Sequence, residues 1–266
     1  MNKVISIAAA TALVPDGASL ALGGMTLYRR PVAFVYELLR RPQPPHNLTL
    51  MSFTSSYESD LLVGAGLVKR VRTCYFGFEA FGLAPMFTQA GNLGELEILE
   101  ETEASLGFGL RAAIADVGFA PGRGWIGTDL LKLRPDVHTV IDPYSGEELV
   151  AFPAIRPDVA VLHALECDRA GNAALGRNLG TDQELAMAAR CVIITAEAVV
   201  DRLERADVAA PLVTAVVEAP LGAWPTSCHP LYPMAGEEIM DYLEACGHED
   251  FEGYVARRLA TPAPAA

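Results

Sequence analysis

Residues 16–25 read Asp-Gly-Ala-Ser-Leu-Ala-Leu-Gly-Gly-Met, so a short apolar run ends on Gly23 and Gly24 a few residues before Pro31. If the run is a strand and Pro31 opens a helix, the two glycines stand at the carboxyl end of a strand. Open α/β sheets take their ligands there, because glycine lets the backbone approach closely and a helix start offers free N–H groups to an anion. The same pair suits a tight strand-to-helix turn with no ligand, and spacing leaves both readings open. Histidine and cysteine offer less chemistry. His163 ends an apolar run and His229 follows Cys228 in a proline-flanked loop, but no third ligand stands at metal spacing, so the expectation is structural histidines and no metal site. As neighbours on an extended chain, Cys228 and His229 would point apart, which weighs against a Cys-His nucleophile.

The elements that must position these residues alternate between helical spacing and short β-branched runs, the pattern of an α/β protein with a largely parallel sheet. A helix is expected over about 3–13, a strand over 19–22 and a helix from Pro31 to Leu39 that stops at Pro42, Pro44 and Pro45. A strand at 48–53, a helix at 57–67, a strand at 71–76 and a helix at 103–116 follow. Residues 120–157 are dense in Gly, Pro and Asp and read as a loop-rich excursion within a single domain spanning 1–266. Residues 158–165, 191–195 and 213–218 are continuous apolar runs of the buried-strand type. A helix is expected over 235–259, and Ala260 to Ala266 reads as a frayed tail.

Composition narrows the function class. The chain has 266 residues, 51% of them hydrophobic and 20% charged. That is enough for a full core and unlike a disordered chain. Its 20 Lys plus Arg against 33 Asp plus Glu give a net charge of −13, the wrong sign for a nucleic-acid binder. Five cysteines without a Cys-x-x-Cys pair suggest no disulfide framework and a reducing cytoplasm. The apolar run from Val4 to Val14 follows Lys3 as a signal-peptide core would, but Ser6, Thr11 and the Pro15-Asp16-Gly17 turn read better as a helix and its end. No apolar stretch is long enough for a membrane span.

The stretch Asp16-Gly17-x-x-Leu20-Ala21-Leu22-Gly23-Gly24 followed by Pro31 resembles the signature of the A subunits of class I CoA-transferases of the glutaconate CoA-transferase type. Pro31 to Phe34, Gly66 to Val71, Asp158 to His163 with Asp168 to Ala173, and Val217 to Pro220 agree with it, so the resemblance spans about 3–255. Met25 stands where the family usually has Phe, and Arg29 where it usually has Gly. Both departures, with Gly24 to Pro31 and Val68 to Val71, look closer to a second branch, the ring-opening acyl-CoA hydrolases of bacterial steroid degradation.

The resemblance implies a CoA-transferase-like fold, an open and mostly parallel sheet with helices on both faces. It also implies an acyl-CoA substrate, coenzyme A entering with the substrate rather than as a permanently bound cofactor, and a B subunit in a heterotetramer. In the transferase branch the nucleophilic glutamate sits on the partner in a Ser-Glu-Asn-Gly-like motif, which this chain lacks. In the hydrolase branch a glutamate ahead of Gly107 to Ala113 acts as base or water-orienting group, and it matches Glu103; an alignment to the transferase branch shifts the frame to Glu101. On helical spacing Glu100 and Glu103 would share a face while Glu101 points elsewhere. A first-turn carboxylate also stabilises a helix by about 0.3–1 kcal/mol with no catalytic role. The same dipole lowers its pKa, so a base there needs burial or a neighbouring acid to raise it.

Gly23, Gly24 and Met25 are then expected to bind substrate, the glycine amides donating to a developing oxyanion, while Arg29 and Arg30 meet CoA phosphates unless they are simply a solvated pair. Lys69, Arg70 and Arg72 read as a helix C-terminal cap. Arg123, Trp125 and Lys132 are placed to cover a substrate. The rival readings are a non-catalytic acyl-CoA or sugar-phosphate binding module and a self-sufficient homo-oligomer.

Overall fold

Strands that are apolar at every position need cover on both faces, and the computed structural model, which describes residues 2–261, supplies it. The chain runs α1 (Ile7–Thr11), β1 (Ser19–Leu22), α2 (Val32–Arg40), β2 (Leu48–Met51), α3 (Tyr57–Gly64), β3 (Val68–Thr73), α4 (Pro85–Leu93), β4 (Glu97–Glu100) and α5 (Glu103–Ile114). It continues through β5 (Phe119–Gly122), α6 (Leu130–Leu133), β6 (His138–Ile141), β7 (Glu148–Pro153), β8 (Val159–Asp168), β9 (Ala173–Ala174), α7 (Asp182–Ala188), β10 (Cys191–Val200), β11 (Ala215–Glu218), α8 (Gly236–Gly247) and α9 (Phe251–Ala260). The main sheet has the order β11-β10-β8-β1-β2-β3-β4 with every neighbouring pair parallel, and β9 adds to β8 in the antiparallel sense.

Period-two alternation divides the core. Leu20, Leu22, Val159, Val161, Ile193 and Val217 face one layer together with residues of α1 to α3, α8 and α9. Ala21, Ala160, Leu162, Val192, Ile194 and Val216 face the other, packed on Leu106 and Leu110 of α5 and Leu185 of α7. The expected open, mostly parallel sheet with helices on both faces is therefore the observed architecture.

Four local expectations are corrected. The first helix covers only Ile7–Thr11, because Ser6 caps it and Val4 makes a bridge to Val216 beside the sheet edge. Gly66, at φ +70°, follows the end of α3, so Lys69, Arg70 and Arg72 lie on β3 rather than capping a helix; glycine takes that backbone conformation without strain. The excursion at 120–157 is not mainly loop: β5, β7 and β6 form an antiparallel sheet in that order, with α6 beside it. Its own small core joins Trp125, Val137, Val150 and Phe152, and Phe108 of α5 stacks on Phe152 at 5.2 Å. The C-terminal helix is two helices, broken at His248–Asp250 where Glu249 takes φ +59° and the Asp250 N–H returns to the Ala245 carbonyl. Helix α4 and strand β4 were not expected, and the tail beyond 261 lies outside the described residues.

Candidate active site

The sheet changes direction between β1 and β8: from β1 it builds outward through β2, β3 and β4, and from β8 through β10 and β11. A crevice at the carboxyl ends of the strands is expected at such a switch point. The glycine turn follows β1 there, the Phe53–Ser56 segment follows β2, Cys74 follows β3, and Glu101 to Glu103 follow β4. At about 4.8 Å per strand, three strand spacings separate the glycine turn from Glu103.

The glycine turn does not offer the donors expected of it. Gly23 N–H donates to the Val161 carbonyl at 2.9 Å, Gly24 N–H to Asp182 Oδ1 at 2.9 Å, Met25 N–H to the Tyr28 carbonyl at 2.9 Å and Thr26 N–H to Thr54 Oγ1 at 2.8 Å. All four amides are spent on the fold, which corrects the reading of Gly23 and Gly24 as oxyanion donors. Packing explains the residue types instead. A Cβ on Gly23 would stand 2.4 Å from Leu162 Cδ2, and Gly24 holds φ +83° with a Cβ position 2.5 Å from the Arg29 carbonyl oxygen. Met25 is half-buried.

Arg29 and Arg30 are neither phosphate ligands nor a solvated pair, for both are wholly buried. Arg29 Nη2 donates to Asp182 Oδ2 at 2.6 Å and Nη1 to the His163 carbonyl at 2.6 Å, and Arg30 pairs with Glu58 and donates to the Thr54 carbonyl at 3.0 Å. Asp182 thus ties Arg29 to the Gly24 amide, and the arginines brace the turn.

The two candidate glutamates separate cleanly. Glu100 ends β4 and α5 begins at Glu103, so no helical spacing links them and the shared-face expectation fails. Glu101 is 4% exposed; its Oε1 accepts from Arg72 Nη1 at 2.5 Å and Arg134 Nη1 at 2.8 Å, and its Oε2 from Ser105 Oγ at 2.5 Å. Glu103 is exposed and has no side-chain ion pair among the described residues. Cys74 senses both: burial first, then the Glu103 charge and the Glu101 charge, push its thiol up to about 11.

Within the former excursion, Trp125 is buried and packs in the small core rather than over an open surface, while exposed Arg123 pairs with Glu147 and exposed Lys132 with Asp129.

The structure also assembles a cluster that sequence spacing missed, because Glu197 enters from β10 far along the chain. His163, Glu197 and Cys228 bring their ligand atoms within 4.8 Å of one another. Their hydrogen bonding is closed, however. Glu197 accepts from His163 Nε2 at 2.7 Å, the Leu221 amide at 2.6 Å, the Gly222 amide at 3.1 Å and the Tyr232 hydroxyl. With Nε2 donating, His163 Nδ1 accepts from Thr195 Oγ1 at 2.8 Å, since a neutral imidazole has one donor and one acceptor nitrogen. Burial lowers the His163 pKa against the pull of Glu197, and burial pushes the Cys228 thiol up to about 12, so the donor set is a neutral imidazole and a protonated thiol. That chemistry fits a hub joining β8, β10 and the 221–232 segment better than a metal site.

A cavity of about 670 Å³ opens beside the glycine turn, lined by Tyr28, Leu165, Gly176, Arg177, Asn178, His229 and Pro230; Glu103 is not among its walls.

The coenzyme A transferase family pattern matches residues 4–218. The chain belongs to that family. Among its relatives, the A subunit of the 3-oxoadipate CoA-transferase of Pseudomonas knackmussii is 35% identical, the match covering 82% of this chain and 79% of that protein. The cholesterol ring-cleaving hydrolase IpdA subunit of Rhodococcus jostii is 32% identical over 84% of this chain and 79% of its own. A protein of Archaeoglobus fulgidus, also 35% identical, matches 91% of this chain, which spans only 56% of that longer relative. Among solved structures, the decarboxylase AibA/AibB C56S variant superposes with a TM-score of 0.91 at 33% identity, covering 98% of this chain and 100% of that one. Transfer, hydrolysis and decarboxylation thus occur on one family scaffold, and decarboxylation is a chemistry that the sequence motifs did not suggest.

Proposed function

We propose that this chain is the A subunit of a two-subunit enzyme acting on an acyl-CoA, in which Glu103 activates water for the hydrolytic opening of a cyclic acyl-CoA. The observation that carries the reading is the contrast between two nearby carboxylates at the same strand end. Glu101 is buried and held by two arginines, while Glu103 has no ion pair among the described residues and is exposed at the carboxyl end of a parallel sheet. On a ring that bears a ketone next to the carbon carrying the thioester, the Glu103 carboxylate takes a proton as water oxygen adds to the ketone carbon. The bond between that carbon and the α-carbon then breaks, its electron pair passing to a thioester enolate. Glu103 returns the proton to the α-carbon, leaving a ring-opened carboxylate that keeps its CoA thioester.

The partner completes the site. An exposed Glu103 needs a surface from outside this chain to exclude bulk water from the reacting groups. With Arg29 and Arg30 buried, CoA phosphates are held elsewhere, which also favours a B subunit and a heterotetramer of the two chains. Five free cysteines fit a reducing cytoplasm, and no helix among the described residues is long and apolar enough to cross a membrane.

Co-expression with a candidate B subunit tests the reading on a cyclohexanone that carries the CoA thioester on its α-carbon. The wild-type complex should open the ring, and Glu103→Gln should lose at least about 100-fold in kcat, the lower range for a general base. Full activity in Glu103→Gln contradicts the assignment. The second reading is CoA transfer through a glutamate of the partner, supported by the absence of a Ser-Glu-Asn-Gly motif here and by the 3-oxoadipate transferase relative.

A further inference from the structure

Among the described residues the Glu103 side chain makes no hydrogen bond or ion pair, yet the backbone on either side of it is tied down. Thr102 caps α5: its Oγ1 accepts from the Ser105 amide at 3.2 Å, and its own amide donates to Ser105 Oγ at 2.8 Å, the reciprocal pairing of a capping box. Ser105 Oγ also donates to Glu101 Oε2 at 2.5 Å, so the cap and the buried carboxylate are one network. Two residues of the segment between β5 and β6 complete it. Trp125 Nε1 donates to Thr102 Oγ1 at 3.0 Å, and Arg134 Nη1 donates to the Glu100 carbonyl at 2.9 Å and to Glu101 Oε1 at 2.8 Å. Arg72 of β3 reaches the same Oε1, while Asp136 holds the other edge of the Arg134 guanidinium at 2.8 Å through both Nε and Nη2.

Stability alone is a poor reason for such a cluster. The Arg134 and Glu101 side chains are 4% and 3% exposed, and a buried ion pair gains little over apolar residues of similar volume because both charges lose their water. A guanidinium that is itself forked onto Asp136 and holds both the Glu100 carbonyl and the Glu101 carboxylate, the two residues before Thr102 and Glu103, does give geometric definition.

We propose that Arg134 and Trp125, acting through Glu101 and Thr102, are positioning residues that hold Glu103 in its reactive place. The small antiparallel sheet is on this account the mount for the base, and Glu101 is part of the mount rather than a second base. The proposal rests on the reading of Glu103 given above.

The test uses the co-expressed two-subunit complex and the same ring-ketone acyl-CoA. Displacing a reacting group by about 1 Å can cost on the order of 100-fold, so Arg134→Met is expected to lower kcat about 100-fold with KM changed less than about threefold. Arg134→Lys, which can still reach Glu101 but lacks the fork, should fall between. Trp125→Phe keeps the ring in the small core and deletes only the N–H bond to Thr102, so it decides the matter if Arg134→Met does not fold; a fall of about tenfold in kcat is expected. A merely structural role would not produce the non-additivity that follows: in a Glu103→Gln background, Trp125→Phe should cause no further loss. Equal losses in both backgrounds, or a wild-type kcat in Trp125→Phe alongside an inactive Glu103→Gln, overturn the positioning role and leave Glu103 as base. Full activity in Glu103→Gln overturns the base assignment and this inference with it.

Discussion

At the residue scale, two glutamates two positions apart have opposite fates because one faces arginines and the other faces water. Glu103→Gln should therefore remove activity while shifting stability by no more than about 1 kcal/mol, the upper end of a first-turn carboxylate's contribution to its helix, as thermal melting would show. Cys74 gives an independent reading of the same charge. Its thiol is pushed up to about 11 by burial and then by Glu103 and Glu101. Removing the Glu103 charge lowers that value, so at pH 9 more thiolate is present and alkylation by iodoacetamide should be faster in Glu103→Gln than in wild type; an unchanged rate would separate Cys74 from Glu103. Sequence could point to this pair of carboxylates but could not choose between them by helical periodicity, since α5 starts at Glu103. Nor could it see that Arg29 and Arg30 are buried, because their carboxylate partners Asp182 and Glu58 lie on other elements.

At the element scale, the turn after β1 is a brace between β1, β8 and α7. Gly24→Ala should cost about 1–3 kcal/mol from the positive φ alone, and more from the overlap with the Arg29 carbonyl, measured by chemical denaturation of the purified chain. A stability equal to wild type would show the turn to be looser than described. Strands β1, β8, β10 and β11 were legible because parallel strands buried on both faces are apolar at nearly every position. β4 was not, since an edge strand reading Glu-Ile-Leu-Glu is largely exposed and carries no such run, as edge strands tend not to. The sheet at 119–153 hid behind its glycines, prolines and aspartates. These residues do mark its turns, but its few apolar side chains meet only once the strands have paired.

For the whole molecule, the His163 hub joins β8 and β10 to the 221–232 segment, and acid stability reads it out. Burial depresses the His163 pKa in the folded chain, whereas the unfolded chain takes up a proton near about pH 6.5. Below about pH 6.5 the unfolded state binds the extra proton, so this contribution to stability is lost as pH falls. Asp60 acts in the opposite sense: burial raises it to about 6, so the folded state is the one that takes up a proton as pH falls through that region. Denaturation of wild type and His163→Gln at pH 5.5 and 7.5 isolates the histidine, and the loss on acidification should be smaller in the variant. The open sheet covered on both faces and the family were legible along the chain, whereas a surface proposed to come from a partner chain cannot be read from this sequence. In the proposed reaction water, activated by Glu103, attacks the substrate with no covalent enzyme intermediate. The most direct measurement is turnover of the ring-ketone acyl-CoA by the two-subunit complex in oxygen-18 water with hydroxylamine present, followed by mass spectrometry of product and both chains. The expected result is label in the new carboxylate, no adduct on either chain, and loss of labelled product in Glu103→Gln. A CoA thioester or hydroxamate on a partner glutamate, with turnover intact in Glu103→Gln, would contradict it.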